Sequence, residues 1–179
     1  MGTKEGAKKG REKGKRWERQ FAVELSQWYS DGKDKNIFRR SIGSRAVIEA
    51  ESQARDIIAM KQEGYDFTSQ FDIELKDGKI SLWKNFINGV DGEIYKWWEL
   101  AEIEKVGNKG IILVIKNSSK RGKPLVVIGE VMYQQLLCFF GNKFSESLLK
   151  WRVDRENWLF IFSWEDWKQF DPGIFSCGE

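Results

Sequence analysis

The segment FDIELK, residues 71–76, carries the clearest structural signal in the chain. Its apolar residues at positions 71, 73 and 75 alternate with charged ones, which is the two-residue period of a half-buried β-strand. Because side chains two apart on a strand project from the same face, Glu74 and Lys76 are expected to lie side by side. In so charged a chain an acid followed two residues later by lysine is common, and by itself it is typical of a solvated strand face.

The regions on both sides of this strand also have regular patterns. Before it, Trp17, Phe21, Leu25 and Trp28 recur at helical spacing and predict a helix that begins near Lys15 and ends at residues 30–32. A short strand is expected over residues 36–41. Residues 46–54 are typical of a helix or irregular structure, and residues 55–60 either continue a helix or start a buried strand. Residues 64–66 have the composition of a turn.

After the strand, Asp77-Gly78 is a hairpin signal that predicts a returning strand over residues 79–83. Further along the chain we expect a helix over 93–105, paired strands over 111–115 and 125–128, an edge strand over 158–162 and a short helix over 164–170. The order helix, strand, strand, strand, helix, strand predicts an α/β fold, with a mixed β-sheet flanked by helices.

The composition narrows the chemistry that the chain can perform. With 179 residues it is long enough for one domain with a hydrophobic core. It contains no histidine, and its two cysteines, Cys138 and Cys177, are far apart, which argues against a zinc site or a histidine-based nucleophile. Hydrolytic chemistry would therefore depend on carboxylates, lysine and a hard metal ion such as Mg²⁺.

Charge is distributed unevenly along the chain. Residues 1–20 hold eight basic and three acidic side chains, a net +5, against +3 for the whole chain. Residues 1–14, rich in glycine and lysine, predict a flexible basic arm suited to attracting phosphates, or else a solubilising tail. No apolar segment long enough for a signal peptide or a membrane span follows this arm, so a cytoplasmic protein without membrane contact is expected.

Asp56 and Glu74 are the strongest candidates for a metal site. If they lie on adjacent strands, both carboxylates can hold a divalent cation, whose bound water can become a nucleophile. Lys76 would then orient or deprotonate that water and offset charge on a phosphate. Asp66 is an alternative to Asp56 if residues 46–63 form one helix, and Asp72 is a weaker one because it shares a strand face with Glu74.

Four motifs together resemble a known family. KGKRWERQF (13–21), FRRSIGSR (38–45), RDIIAMK (55–61) and FDIELK (71–76) occur in the same order as in archaeal Holliday junction resolvases, and they look like bacteriophage-encoded PD-(D/E)XK nucleases. The resemblance covers residues 13–128 as spaced short motifs. It implies a restriction-endonuclease-like αβββαβ core over residues 15–128, followed by a C-terminal extension over residues 129–179 that packs on the core or forms a dimer interface. It also implies a homodimer that cuts branched DNA with Mg²⁺, or with Mn²⁺.

Further site residues follow from the same resemblance. Glu18 would be a third metal ligand and catalytic carboxylate beside Asp56, Glu74 and Lys76, although a helix-surface acid paired with a neighbouring arginine has the same pattern. Arg39 and Ser44 would contact the DNA backbone near the scissile phosphate. The full set of candidate DNA-binding residues is Lys13, Lys15, Arg16, Arg39, Arg40, Ser44 and Arg45.

The chain departs from the family pattern at two positions. Arg55 stands before Asp56 where proline or glycine is usual, and Leu100 stands where the helix after the E-x-K strand usually has a substrate-positioning glutamine, with Glu99 as a substitute. The function alternatives are therefore a nuclease acting on duplex ends, nicks or a specific site, and a non-catalytic DNA-binding protein on the same fold.

Overall fold

The computed structural model describes residues 4–41, 56–105, 107–117, 123–140, 149–152 and 158–175. Six helices and seven strands are assigned within these ranges, together with two 3₁₀ turns at Gly89–Asp91 and Pro172–Phe175. In chain order the elements are α1 (Lys4–Tyr29), β1 (Phe38–Arg40), β2 (Ile57–Ala59), α2 (Gln62–Gln70), β3 (Phe71–Gly78), α3 (Leu82–Asn88), α4 (Glu93–Glu104), β4 (Gly110–Asn117), β5 (Leu125–Gly129), α5 (Glu130–Phe140), β6 (Leu149–Arg152), β7 (Trp158–Ser163) and α6 (Trp164–Trp167).

A five-stranded mixed sheet in the order β3-β4-β5-β7-β6 forms the centre of the molecule. β3 and β4 run parallel, because α3 and α4 connect them as a crossover, and the other pairs are antiparallel. β1 and β2 form a separate antiparallel pair, joined to β3 by a hydrogen bond from Asp56 N to Ile73 O at 3.3 Å. This arrangement confirms the predicted α/β fold with a mixed sheet, consistent with a restriction-endonuclease-like architecture.

Two hydrophobic cores lie on opposite faces of the sheet, and the apolar side chains of β3 all belong to one of them. Phe71, Ile73 and Leu75 pack into an aromatic-rich core with α1, whose predicted stripe is buried along its whole length. On the other face of the sheet, Ile94 and Trp98 of α4 lie in a second core with apolar residues of β4, β5, β6 and β7. The charged positions of β3 therefore lie on the face that α4 covers only in part.

Two glycines that indicate turns in the sequence have a packing role instead. Residues 64–66 lie inside α2, where a Cβ on Gly64 would be 2.8 Å from the Ile37 side chain. Residues 79–83 form no returning strand, because Ser81 caps α3, its hydroxyl accepting a hydrogen bond from Lys84 N at 3.5 Å. At Gly78 a Cβ would be 2.7 Å from the Trp97 ring. Both turn predictions were wrong, because Gly64 lies in α2 and Gly78 lies in β3. Glycine is required at both positions because a larger side chain would clash with the neighbouring one.

The ends of the chain also differ from expectation. α1 begins at Lys4, so the residues predicted as a flexible arm are helical from there on, which suits their lysines and arginines. The segment at 158–162 is a strand as predicted, but it is not an edge strand. β7 lies between β5 and β6, with Leu159 to Phe162 all buried, as a continuous apolar run requires. The predicted paired strands β4 and β5, and the helix α4, are confirmed.

Candidate active site

Asp56 is fixed in position by hydrogen bonds to β3 and to Ser41, the residue that follows β1. Its N–H donates to Ile73 O, and its carbonyl accepts from Ser41 N at 2.7 Å. Its side chain turns toward β3, where Oδ2 accepts a hydrogen bond from Leu75 N at 2.8 Å. The Asp56 carboxylate is therefore bound to the middle residue of the E-x-K motif, with Glu74 before that residue and Lys76 after it.

Glu74 and Lys76 project from one face of β3, as predicted. The ammonium of Lys76 donates a hydrogen bond to Glu74 Oε1 at 2.5 Å. The Glu74 side chain is 15% exposed and that of Lys76 is 28% exposed, so the pair is shielded from water but still reachable from outside. This geometry places an ammonium beside two carboxylates at the edge of the sheet.

Burial makes the two acids difficult to ionise together. Desolvation and the nearby charge of Glu74 raise the pKa of Asp56 from 3.8 to about 7, although the bond from Leu75 N opposes the shift. Desolvation also raises the pKa of Glu74, against the opposing effect of Lys76. Two buried acids with raised pKa values store unfavourable electrostatic energy, which is a common property of functional sites.

Glu18 and Arg40 approach the same place from α1 and β1. Arg40 Nε donates to Glu18 Oε2, and both side chains are about four-fifths buried. The charge of Glu18 contributes to the raised pKa values of Asp56 and Glu74, so it lies near both. The sequence left two interpretations of Glu18, a metal ligand or a helix acid paired with arginine, and the structure shows this pairing close to the other two acids.

The donor set is that of a hard cation. Asp56, Glu74 and Glu18 offer only carboxylate oxygens, and a divalent ion would offset the repulsion that raises the pKa values of Asp56 and Glu74. Among the described residues no three acids converge closely enough to enclose an ion, with Glu18 held by Arg40 and Glu74 by Lys76. Binding a cation would therefore exchange these ion pairs for metal contacts.

The alternative aspartates lie in different surroundings. Asp56, Glu74, Glu18 and Lys76 are referred to as the cluster. Asp66 is exposed on α2, and within the described residues no hydrogen bond or ion pair joins its side chain to the cluster. Asp72 is 7% exposed and shares the Glu74 face of β3, where both line a small pocket with Ala101 and Glu104 of α4. The structure thus brings Asp56, and not Asp66, into contact with the E-x-K motif.

Of the candidate DNA-binding residues that the structure describes, Arg40 is the one that it brings to the cluster, through Glu18. Arg16 and Arg39 are exposed. Lys13 lies 3.3 Å from Asp77 Oδ2 at the end of β3, and Lys15 lies 3.2 Å from Glu12. Ser44 and Arg45 lie outside the described residues, as does Arg55.

Two contributions to the site were not predicted from the sequence. Glu104, at the end of α4, raises the pKa of Glu74 through its charge. Asp77 positions Lys13 beside β3. Neither follows from local spacing, because each depends on how a helix lies across the sheet. Leu100, in the position expected for a glutamine, is 49% exposed on α4 and does not line the pocket that Asp72, Glu74 and Glu104 share.

An aspartate before one strand, with Glu-x-Lys on the next strand of a mixed sheet, defines the PD-(D/E)XK class of nucleases. Within it, the chain belongs to the family described as phage putative PDDEXK endonuclease, whose model matches residues 9–175. No curated protein and no solved structure matches the chain. The match extends well beyond residue 128 and includes the strands β6 and β7. In the described part of the chain, no helix has both the length and the apolar character to cross a membrane.

Proposed function

We propose that this endonuclease is Mg²⁺-dependent and hydrolyses phosphodiesters in branched DNA, with four-way junctions as its principal substrate. The observation that carries the proposal is the bond from Leu75 N to Asp56 Oδ2, which holds Asp56 against Glu74 and Lys76. Mn²⁺ is expected to replace Mg²⁺, because both are bound by carboxylate oxygens.

Each residue of the cluster has a role in this reaction. Asp56 and Glu74 would hold the cation, with Glu18 as a third carboxylate after it releases Arg40. When bound, the cation lowers the pKa of a water molecule and polarises the scissile phosphate. Lys76, released from Glu74, would orient the attacking water and neutralise charge that develops on the phosphate oxygens. Arg40 would become available to a DNA phosphate at the same moment.

The exposed basic residues of α1 and β1 suit contact with a DNA backbone. Arg16 and Arg39 are exposed, and Lys13 lies beside the end of β3. Such contacts position a substrate by its phosphates and shape without reading bases. Selectivity for branched DNA is supported by the resemblance of the four motifs to junction resolvases. Resolution of a junction requires a homodimer, since two strands must be cut. We place the action of the enzyme in the cytoplasm of the host cell.

A cleavage assay with two aspartate variants tests this proposal. The full chain is incubated with a labelled four-way junction or a matched linear duplex, in Mg²⁺ or EDTA. We expect Mg²⁺-dependent cutting of the junction, loss of cutting in Asp56→Asn, and unchanged cutting in Asp66→Asn.

The other outcomes select among the alternatives. Cutting of both substrates would keep the nuclease and remove the preference for junctions. Tight binding in a gel shift, without cleavage in Mg²⁺ or in a parallel reaction with Mn²⁺, would point to a non-catalytic DNA-binding protein. Loss of activity in Asp66→Asn, with Asp56→Asn still active, would assign the metal to the other aspartate.

A further inference from the structure

The outer side of α4 exposes large apolar side chains. Leu100 is 49% exposed and Ile103 is 74% exposed, although both are residues that normally avoid water. Leu100 is also the position at which a substrate-positioning glutamine was expected, and it does not line the pocket beside Glu74. The cluster therefore gives no reason for an apolar residue here.

Charged residues border the two apolar ones on the same helical face. At 100° per residue, Lys96, Leu100, Ile103 and Glu104 lie within about one third of the helix circumference. We refer to these four residues as the α4 face. Lys96 and Glu104 are both exposed, and neither has an ion-pair partner among the described residues. One end of the face is therefore positive and the other negative.

We infer that the α4 face is the two-fold interface between two copies of this chain. In an antiparallel pairing centred on Leu100, the two Leu100 side chains meet, and Lys96 of each copy lies opposite Glu104 of the other. A surface whose two ends carry opposite charge is self-complementary under a two-fold rotation, as a closed dimer requires. This inference deepens the homodimer of the proposed function and rests on it.

Charge disfavours a neighbouring register of the same pairing. Shifting the pairing so that Leu100 meets Ile103 would place Glu99 opposite Glu104 twice, and both are exposed acids. Like charges facing each other across an interface are costly. The register centred on Leu100 has no such clash, and it places Ile103 near Trp97 of the other copy.

The interface would lie beside the candidate active site. Trp97 is half-buried and packs so closely on Gly78 that a Cβ there would be 2.7 Å from the ring. Gly78 follows Lys76 by two residues on β3. Glu104 itself lies close enough to Glu74 to raise its pKa. A second copy on α4 would thus contact residues adjacent to the E-x-K motif.

The test measures the mass of the full chain by sedimentation equilibrium over micromolar concentrations, without DNA. We expect a dimer for the native chain, and a dissociation constant raised about 100-fold or more in Leu100→Asp, because a charge would be buried at the centre of the interface. Val131→Asp is the matched control, since Val131 is 77% exposed on α5, and it should remain dimeric. Circular dichroism establishes that each variant is folded.

Charge reversal gives a second, independent readout. Lys96→Glu and Glu104→Lys should each weaken the dimer by about 10-fold, and the double variant should recover most of that loss. A monomeric native chain, equal dimerisation of Leu100→Asp and Val131→Asp, or a double variant no better than the single ones would overturn the interface. A monomeric native chain would also remove the homodimer that junction cutting requires, whereas the other two results overturn this interface alone. Because the readout is mass and not cleavage, the nuclease activity itself is left to its own assay.

Discussion

The two ends of the β1–β2 strand pair hold acids in opposite electrostatic states. At one end Asp34 binds Lys61 at the surface, and this contact lowers the pKa of Asp34 and raises that of Lys61. At the other end Asp56 lies beside Glu74, and burial raises its pKa to about 7. The first arrangement favours the charged forms of its members, whereas the second disfavours them.

This difference distinguishes a stabilising contact from a site that is completed by a ligand. An acid with a lowered pKa adds to the stability of the fold when it is ionised. An acid with a raised pKa reduces that stability when it is ionised, and such an arrangement persists where function requires it. Matched substitutions at the two ends should therefore have different effects on cleavage and on stability.

The largest expected effect is that of Glu74→Gln on catalysis. A cation at this site contributes several kcal/mol of transition-state stabilisation, so losing a ligand should reduce cleavage by about 1000-fold or more. Asp34→Asn removes an acid of similar chemistry at the other end and should leave the rate unchanged. Single-turnover cleavage of a labelled junction measures both. Equal losses in the two variants would show that the cluster has no special role.

The next effect separates the two lysines. Lys76→Ala should reduce cleavage by about 100-fold, because an ammonium that neutralises developing charge is lost, whereas junction binding should persist. Lys61→Ala should change neither. Gel-shift affinity and the cleavage rate are measured for the same preparations. Loss of folding in Lys76→Ala, detected by circular dichroism, would instead assign Lys76 a structural role.

Local periodicity explains which parts of this comparison could be predicted. β3 and the α1 stripe were predictable, because their apolar residues repeat at strand spacing over residues 71–75 and at helix spacing over residues 17–28. Asp56 remained ambiguous, since β2 has only three residues and the bonds that fix it come from Ser41, Ile73 and Leu75. Short strands carry too little pattern to distinguish them from helix.

Contacts between distant segments explain what was missed. Gly64 and Gly78 have the sequence signals of turns, but their role is to let Ile37 and Trp97 pack closely. The pairing of Glu18 with Arg40, and the nearness of Glu104 to Glu74, both depend on where helices cross the sheet. Spacing along the chain contains no information about such crossings.

A smaller effect concerns stability and its dependence on pH and metal. Because the folded chain keeps a proton on Asp56 up to about pH 7 and the unfolded chain loses it near 3.8, the free energy of unfolding should fall as pH rises between these values. Asp56→Asn should remove this loss and raise Tm at pH 8. Mg²⁺ at about 100 times its dissociation constant should raise the native Tm by about 5 °C or more.

Calorimetry at pH 5 and pH 8 measures both parts of this prediction. The gain from Mg²⁺ should be largest at pH 8, because metal binding requires deprotonated carboxylates, and it should vanish in Asp56→Asn. A Mg²⁺ effect that is equal at both pH values, or one that persists in Asp56→Asn, would contradict the assignment of the cation to this acid.

The smallest effect is that of Asp34→Asn on stability. Its lowered pKa means that the contact with Lys61 contributes when Asp34 is ionised, at pH values above 3.8, and is lost as pH falls through the lower folded value. The variant should therefore have a slightly lower Tm at neutral pH, with the difference disappearing in acid. An exposed pair is screened by water and salt, so the change should be much smaller than that caused by Asp56→Asn and of the opposite sign. Thermal scans at low and high salt measure the change in Tm. A gain in Tm for Asp34→Asn would mean that the two ends of the strand pair do not differ as their pKa values indicate.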